Sequence, residues 1–184
     1  LMSINYYPFT KDDVNYSKVI DLYEEAFPES QHTPLWLLRY KVRTGTAQFN
    51  IIYENDTWVG LIYTTEYKNM LFVQLFAISK ALRSGGYGSK IIGSLKVKNP
   101  GKRIVLNIEE VDGQAENKIQ KVKRKAFYER SGFISSGYIV KEFGERYEML
   151  IFGGHISKEE IYAIYKNLYG FVLGIFFKAE VVRI

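Results

Sequence analysis

Three glycines fall within four positions of the stretch RSGGYGSK, Arg83 to Lys90: Gly85, Gly86 and Gly88. The almost unbroken apolar run MLFVQLFAIS precedes it, and IIGSL, apolar at helical spacing, follows. The glycines thus stand between a buried strand and the start of a helix. Glycine accepts positive φ and lets a ligand approach the backbone with no Cβ in the way. The first amides of a helix point outward without partners, and the helix dipole is positive there. Together these features can hold phosphate, with Arg83 and Lys90 adding charge. One reading of Arg83 to Ser89 is a diphosphate cradle. The other is a tight strand-to-helix turn with exposed cations. Two phosphate motifs are excluded by their own spacing. A P-loop needs Gly-Lys-Ser/Thr, whereas Gly88-Ser89-Lys90 stands here, and the dinucleotide fingerprint needs glycine where Ile91 is found.

A second set of reactive groups lies in VLNIEE. Strand alternation puts Leu106 and Ile108 on one face, expected to be the core, and Asn107 and Glu109 on the other. Glu109, with Glu110 as runner-up, can accept a proton directly or through water. A solvated surface acid is the alternative. The basic run KIQKVKRK, Lys118 to Lys125, reads as a solvated helix face, as an attractor of phosphate or as a nucleic-acid contact. The aromatic residues lie on strands at core spacing and are not interleaved with these cations, so nucleic acid is not expected.

The rest of the composition narrows the classes. The chain has no cysteine and two histidines, His32 and His155, which excludes disulfides and thiolate ligands and argues against a metal site. The 184 residues, 47% hydrophobic and 24% charged, fit one soluble domain with an adequate core. No apolar stretch reaches the length of a membrane span, and the first residues show no signal pattern, so neither a membrane nor export is expected and a cytoplasmic location is. The net charge of +5 is compatible with an anionic ligand.

The elements that must position these residues read as follows. SINYYPF is strand-like. Thr10 to Asp13 reads as a capping box opening a helix with the stripe Val19, Leu22, Tyr23, Ala26 and Phe27. TPLWLLRYKVRTG reads as a second helix, with Thr33 as N-cap, Pro34 in the first turn and Gly45 at the end. The strands AQFNIIYE, TWVGLIYTTEY and MLFVQLFAIS follow, joined through Asn55–Asp56 and Lys68–Asn69, turns short enough to require antiparallel hairpins. The third is apolar on both faces, which predicts a central place. After the glycine run come a helix with Tyr87, Ile91, Ile92 and Leu95 inward, the strand RIVLNIE, and the helix AENKIQKVKRKAFYERSG closed by Gly132. The strands FISSGYIV and YEMLIF, a helix with Ser157 as N-cap, and a final strand, with FVLGIFF, Phe171 to Phe177, read as strand, complete the chain. The fold class is α/β (α+β), a mixed, mostly antiparallel sheet flanked by helices.

Arg83, Gly86 and Gly88 form Arg-x-x-Gly-x-Gly after a strand and before a helix, and FYERSGF, Phe127 to Phe133, puts an aromatic pair at a helix end before Gly-Phe enters a strand. At these two motifs, and in the element order to about Met149, the chain resembles the GNAT superfamily of acyl-CoA-dependent N-acyltransferases. The terminal helix and strand, 156–184, resemble an addition to the core of about 3–152. Many members carry asparagine seven places before the tyrosine and alanine four before; here Lys121 and Arg124 stand there.

The resemblance implies a single GNAT-like domain over 1–184 with a central, splayed parallel strand pair, and acetyl-CoA as cosubstrate. It implies that amides from Arg83, Ser84, Gly85, Gly86, Tyr87, Gly88 and Ser89 hold the diphosphate. The backbone of Phe76, Ala77 and Ile78 would bind pantetheine and polarise the thioester carbonyl. Tyr128 would be the acid for the leaving thiolate, since a phenol titrates near 10, close to an alkyl thiol. Glu109 or Glu110 would be the base. Glu29 and His32, in the link FPESQHTP, would border the acceptor, a small-molecule or peptide amine, and assembly as a homodimer is allowed. The rival readings are a non-catalytic acyl-CoA-binding sensor and a nucleic-acid binder working through the basic helix.

Overall fold

The computed structural model describes residues 3–27, 33–111, 117–142, 144–173 and 179–184. Among the described residues there are five α-helices and eight strands. The strands are β1 (Ile4–Pro8), β2 (Ala47–Glu54), β3 (Thr57–Tyr67), β4 (Met70–Ile78), β5 (Arg103–Glu109), β6 (Ile134–Glu142), β7 (Glu145–Phe152) and β8 (Glu180–Arg183). The helices are α1 (Tyr16–Ala26), α2 (Leu35–Arg43), α3 (Tyr87–Lys98), α4 (Lys118–Arg130) and α5 (Lys158–Leu173). The strands hydrogen-bond in the order β1-β2-β3-β4-β5-β7-β6-β8, mostly antiparallel with one parallel pair. The chain groups into two compact units, Leu1–Glu66 with Val73–Pro100, and Tyr67–Phe72 with Gly101–Ile184.

In the first unit, hairpin chemistry sets the register. Asn55 takes φ 52° between β2 and β3, the left-handed conformation that asparagine tolerates in a two-residue turn. Glu54 then faces Thr57, and Phe49 faces Tyr63. One apolar face of this sheet, with Phe49, Ile51, Leu61, Tyr63 and Ala77, packs against Val19, Leu22 and Tyr23 of α1 and Leu38 of α2. The Tyr6 hydroxyl on β1 donates to the Ile91 carbonyl of α3 at 3.1 Å. Two helix starts differ from the sequence reading. The α1 helix begins at Tyr16 with Asn15 as N-cap, because Asp13 Oδ1 accepts from the Asn15 amide at 2.8 Å and closes a separate turn first. Thr10 therefore caps nothing. Pro34, not Thr33, is the N-cap of α2, and the Thr33 carbonyl accepts from the Tyr23 hydroxyl at 2.9 Å.

In the second unit, β5 and β7 pair antiparallel with Leu106 opposite Leu150 and Glu109 opposite Tyr147, and β7 pairs with β6. The α5 helix opens on a complete capping box: the Glu160 amide donates to Ser157 Oγ at 3.2 Å, and the Ser157 amide donates to Glu160 Oε2 at 3.0 Å. Glu160 also holds Arg103 at the start of β5, with Nη2 to Oε1 at 2.7 Å. The C-terminal segment is thus no loose appendage. Ile161, Ile164, Tyr165 and Leu168 share a core with Val105, Val140, Met149 and Ile151. The sequence reading of a strand from Phe171 is corrected in part: the helix runs to Leu173, bending at Gly170 (φ 65°), and residues 174–178 lie outside the described set.

Candidate functional site

The glycine run forms the turn expected of it. A single 3₁₀ turn, Lys80–Leu82, leads from β4 into an extended Arg83, and α3 then starts from Gly86. Ser84 has φ 66° and Gly86 has φ 80°. Glycine is required at Gly86 by that conformation, and a Cβ built there would meet nothing within 4 Å. Above Gly86 is open space, beside the amides of Tyr87, Gly88 and Ser89 in the first turn of α3, which lack intrahelical partners by position. A phosphate fits such a place, and a side chain would fill it. Gly85 is different: its Cβ would lie 3.2 Å from the Leu82 carbonyl and 3.3 Å from the Tyr87 ring, so its role is close packing.

The two cations of the run are committed elsewhere. Arg83 Nε donates to the Ile78 carbonyl at 3.0 Å, and its Nη1 meets Glu25 Oε1 at 3.0 Å. Lys90 Nζ donates to the buried Glu54 at 2.7 Å, a bond that raises the lysine above its ordinary range. Arg83 therefore ties the loop to the end of β4, while the anion-binding capacity of the turn rests on its amides and on the helix dipole.

At the end of β4, Phe76 and Ile78 are half-buried and Ala77 is buried. The Ser79 amide donates to Val59 at 2.8 Å. Gly60, a residue sequence reasoning passed over, makes this backbone position attainable. A Cβ on Gly60 would collide with the Ala77 carbonyl oxygen and lie 3.1 Å from the Ala77 carbonyl carbon and the Ile78 Cα. Its φ is ordinary, so no turn signal in the sequence marks it; only the closeness of β3 to β4 does. Gly60→Ala is expected to cost about 1–3 kcal/mol, as overpacking does, and to displace Phe76–Ile78. Thermal melting beside a calorimetric titration with coenzyme A checks both effects. An unchanged melting temperature would show that the two strands have room to part.

The second unit carries the proton-transfer candidates. Tyr128, in the last turns of α4, is 8% exposed. Its ring meets Phe127 at 4.9 Å and Phe133 at 5.7 Å, both edge-on. Burial pushes its phenol up to about 12, with Arg124 pulling the other way. The phenol keeps its proton at any working pH but is a weaker acid than an exposed tyrosine, so the balance expected from unperturbed values does not hold for the free protein. Desolvation raises a thiol in the same direction, which restores part of the match for a leaving group held in dry surroundings.

The two carboxylates are both ion-paired. Glu109 Oε2 accepts from Arg124 Nη1 at 2.9 Å, so Arg124, where the resemblance has alanine, holds the candidate base. Glu110 is bonded by Arg146, and that guanidinium holds its carboxyl below the ordinary range, which weakens it as a base. The face carrying Asn107 is not open, as the alternation implied: Asn107 Nδ2 donates to the Tyr165 hydroxyl of α5. Glu29 and His32 lie outside the described residues.

No family model matches the chain. The solved structure of a candidate GNAT-family acetyltransferase from Bacteroides thetaiotaomicron superposes with a TM-score of 0.71 at 25% identity, covering 92% of this chain and 98% of that one. The chain has the GNAT fold. An aminoglycoside 6'-N-acetyltransferase solved with coenzyme A shares the fold at a TM-score of 0.59 and 16% identity, over 82% of this chain and 97% of its own. Among curated proteins, YjbC of Bacillus subtilis (strain 168), named as a candidate acetyltransferase, is 37% identical over 84 residues, which is 46% of this chain and 41% of YjbC.

Proposed function

We propose that this GNAT protein transfers an acetyl group from acetyl-CoA to a primary amine by direct attack in a ternary complex, its two units and C-terminal segment acting as one domain in the cytoplasm. The observation that carries the reading is the left-handed Gly86 at the head of α3, with open space above it and the first-turn amides of α3 beside it. The fold and the coenzyme A complex of a GNAT relative support it. When bound, acetyl-CoA supplies an activated acetyl carbonyl. Amides from Arg83 to Ser89 hold the diphosphate, and the backbone of Phe76, Ala77 and Ile78 binds pantetheine and polarises the carbonyl oxygen. Tyr128 gives its proton to the leaving sulfur. Glu109, held by Arg124, acts as the base. The acceptor is a small-molecule or peptide amine.

A second reading has an observation in its favour. Both expected bases carry an arginine and the phenol is buried, which suits a module that binds acyl-CoA without turning it over. Mass spectrometry of amines incubated with protein and acetyl-CoA separates the two. Gain of one acetyl group by an amine, dependent on protein, is the expected result; tight coenzyme A binding with no acetylated product across a broad panel would favour the sensor.

A further inference from the structure

A line of side chains in the first unit stands behind the turn at the head of α3. Gly85 and Tyr87 flank Gly86 in the chain, and the Tyr87 ring lies over Gly85: a Cβ there would come within 3.3 Å of its Cδ2 and Cε2. Lys90, one turn further along α3, holds its Nζ 5.1 Å from the centre of the same ring, as the backward tilt of helical side chains allows. That ammonium donates to Glu54 Oε1 at 2.7 Å. Glu54 ends β2 immediately before the turn at Asn55, and it pairs with Ile4 on β1 and with Thr57 on β3. Its backbone is therefore fixed from both sides.

Glu54 is 7% exposed, whereas the side chain of Lys90 is 44% exposed. Taking a carboxylate out of water costs free energy that such a pair repays only in part. Attachment of α3 does not depend on it. Ile91, Ile92 and Leu95 are buried, the Tyr6 hydroxyl holds the Ile91 carbonyl, and Lys98 Nζ lies 4.8 Å from the centre of the Tyr6 ring. An ion pair supplies what an apolar contact lacks, a direction. It sets the ammonium at one point beside the Tyr87 ring, where the two attract, and the ring confines Gly85. Gly86 lies between them. The freedom that lets a glycine adopt φ 80° is also the freedom to leave it.

We infer that Glu54 is a positioning residue for coenzyme binding: through Lys90 and Tyr87 it holds Gly86 left-handed and so keeps the first-turn amides of α3 aimed at the diphosphate, an inference that rests on the acetyl-CoA reading above. Glu54 touches no ligand in this account, and Lys90 is spent on the carboxylate and the ring instead of on a phosphate. Each link lies inside the first unit, from the end of β2 to the head of α3. A turn held in its binding conformation before the ligand arrives spares the ordering cost that a loose glycine turn would add on binding.

The test is calorimetric titration with coenzyme A, beside melting curves, on the parent, Glu54→Leu, Tyr87→Ala and the double variant. Leucine fills a similar volume and lets Lys90 swing into water, and exchanging a buried ion pair for apolar packing is often neutral for stability. Glu54→Leu should therefore melt near the parent temperature. Its affinity for coenzyme A is expected to fall about 10-fold, or about 1.4 kcal/mol. Tyr87→Ala should lose a similar factor, and the double variant no more than the larger single loss, because residues that act through one another are not additive whereas independent ones are. A merely structural Glu54 would leave the two losses additive, and that result would overturn the inference. So would parental affinity in a folded Glu54→Leu. Tighter binding by Glu54→Leu would also overturn it, since that follows if the carboxylate withholds Lys90 from the phosphates. Should Glu54→Leu fail to fold, Glu54→Gln, which keeps the shape and removes the charge, enters the same cycle with the same expected direction. A parent that binds no coenzyme A overturns the acetyl-CoA reading and this inference with it, whereas binding by the parent with any of the contrary results above overturns the inference alone.

Discussion

Gly86→Val is expected to weaken coenzyme A binding at least 100-fold while the protein stays folded. Two effects add. Residue 86 sits at φ 80°, where a β-branched side chain is strained by at least the about 1–2 kcal/mol of an ordinary residue. The valine methyls also occupy the space above the turn, which a Cβ enters without touching the protein. Strain lowers stability, whereas occupation lowers affinity, and a 100-fold loss corresponds to about 2.7 kcal/mol. Gly86→Asn separates them, since asparagine tolerates the left-handed conformation but still fills the space. The expected pattern is a near-parental melting curve for Asn with binding lost in both variants. Calorimetric titration showing parental affinity in a folded Gly86→Asn would remove the turn as the diphosphate site.

Tyr128→Phe is expected to lower the maximal rate by about 10²–10⁴-fold, the usual worth of a general acid, with little change in coenzyme A affinity. Phenylalanine keeps the edge-on contacts with Phe127 and Phe133 and removes only the hydroxyl with its transferable proton. An interaction made in the transition state alone appears in the rate and not in ground-state binding. Because burial raises the phenol to about 12, the parent rate should show no loss from phenol ionisation up to about pH 10. Steady-state rates beside a melting curve check this. A rate within about twofold of the parent would make Tyr128 a packing residue.

How much of this was legible in the sequence divides by range. Strands β2, β3 and β5 lie where alternation and turn residues put them, because Asn55, Lys68 and the apolar runs act on their own neighbourhoods. The turn at Gly86 and the cap at Ser157 were readable for the same reason. The failures are local rivals or distant contacts. Asp13 closed a turn with Asn15 before Thr10 could cap a helix. Alternation placed Asn107 and Glu109 together correctly, yet nothing near them in sequence announces that α5, more than 50 residues later, covers that face. Shorter separations, 15 residues for Arg124 and Glu109 and 36 for Arg146 and Glu110, hide the arginines that claim these carboxylates, and Gly60 beneath Ala77 is hidden in the same way. Gly60 has an ordinary backbone and no motif, so only pairing of β3 with β4 reveals its use.

The central claim, that the turn at the head of α3 holds acetyl-CoA for transfer to an amine, meets its most direct test in one assay. Initial rates of thiol release from acetyl-CoA are measured with and without amine, for the parent and for Gly86→Val side by side. The account predicts amine-dependent release by the parent and a loss of at least 100-fold in kcat/KM for acetyl-CoA in the variant. Equal rates in the two proteins, or release by the parent that no amine increases, would contradict it.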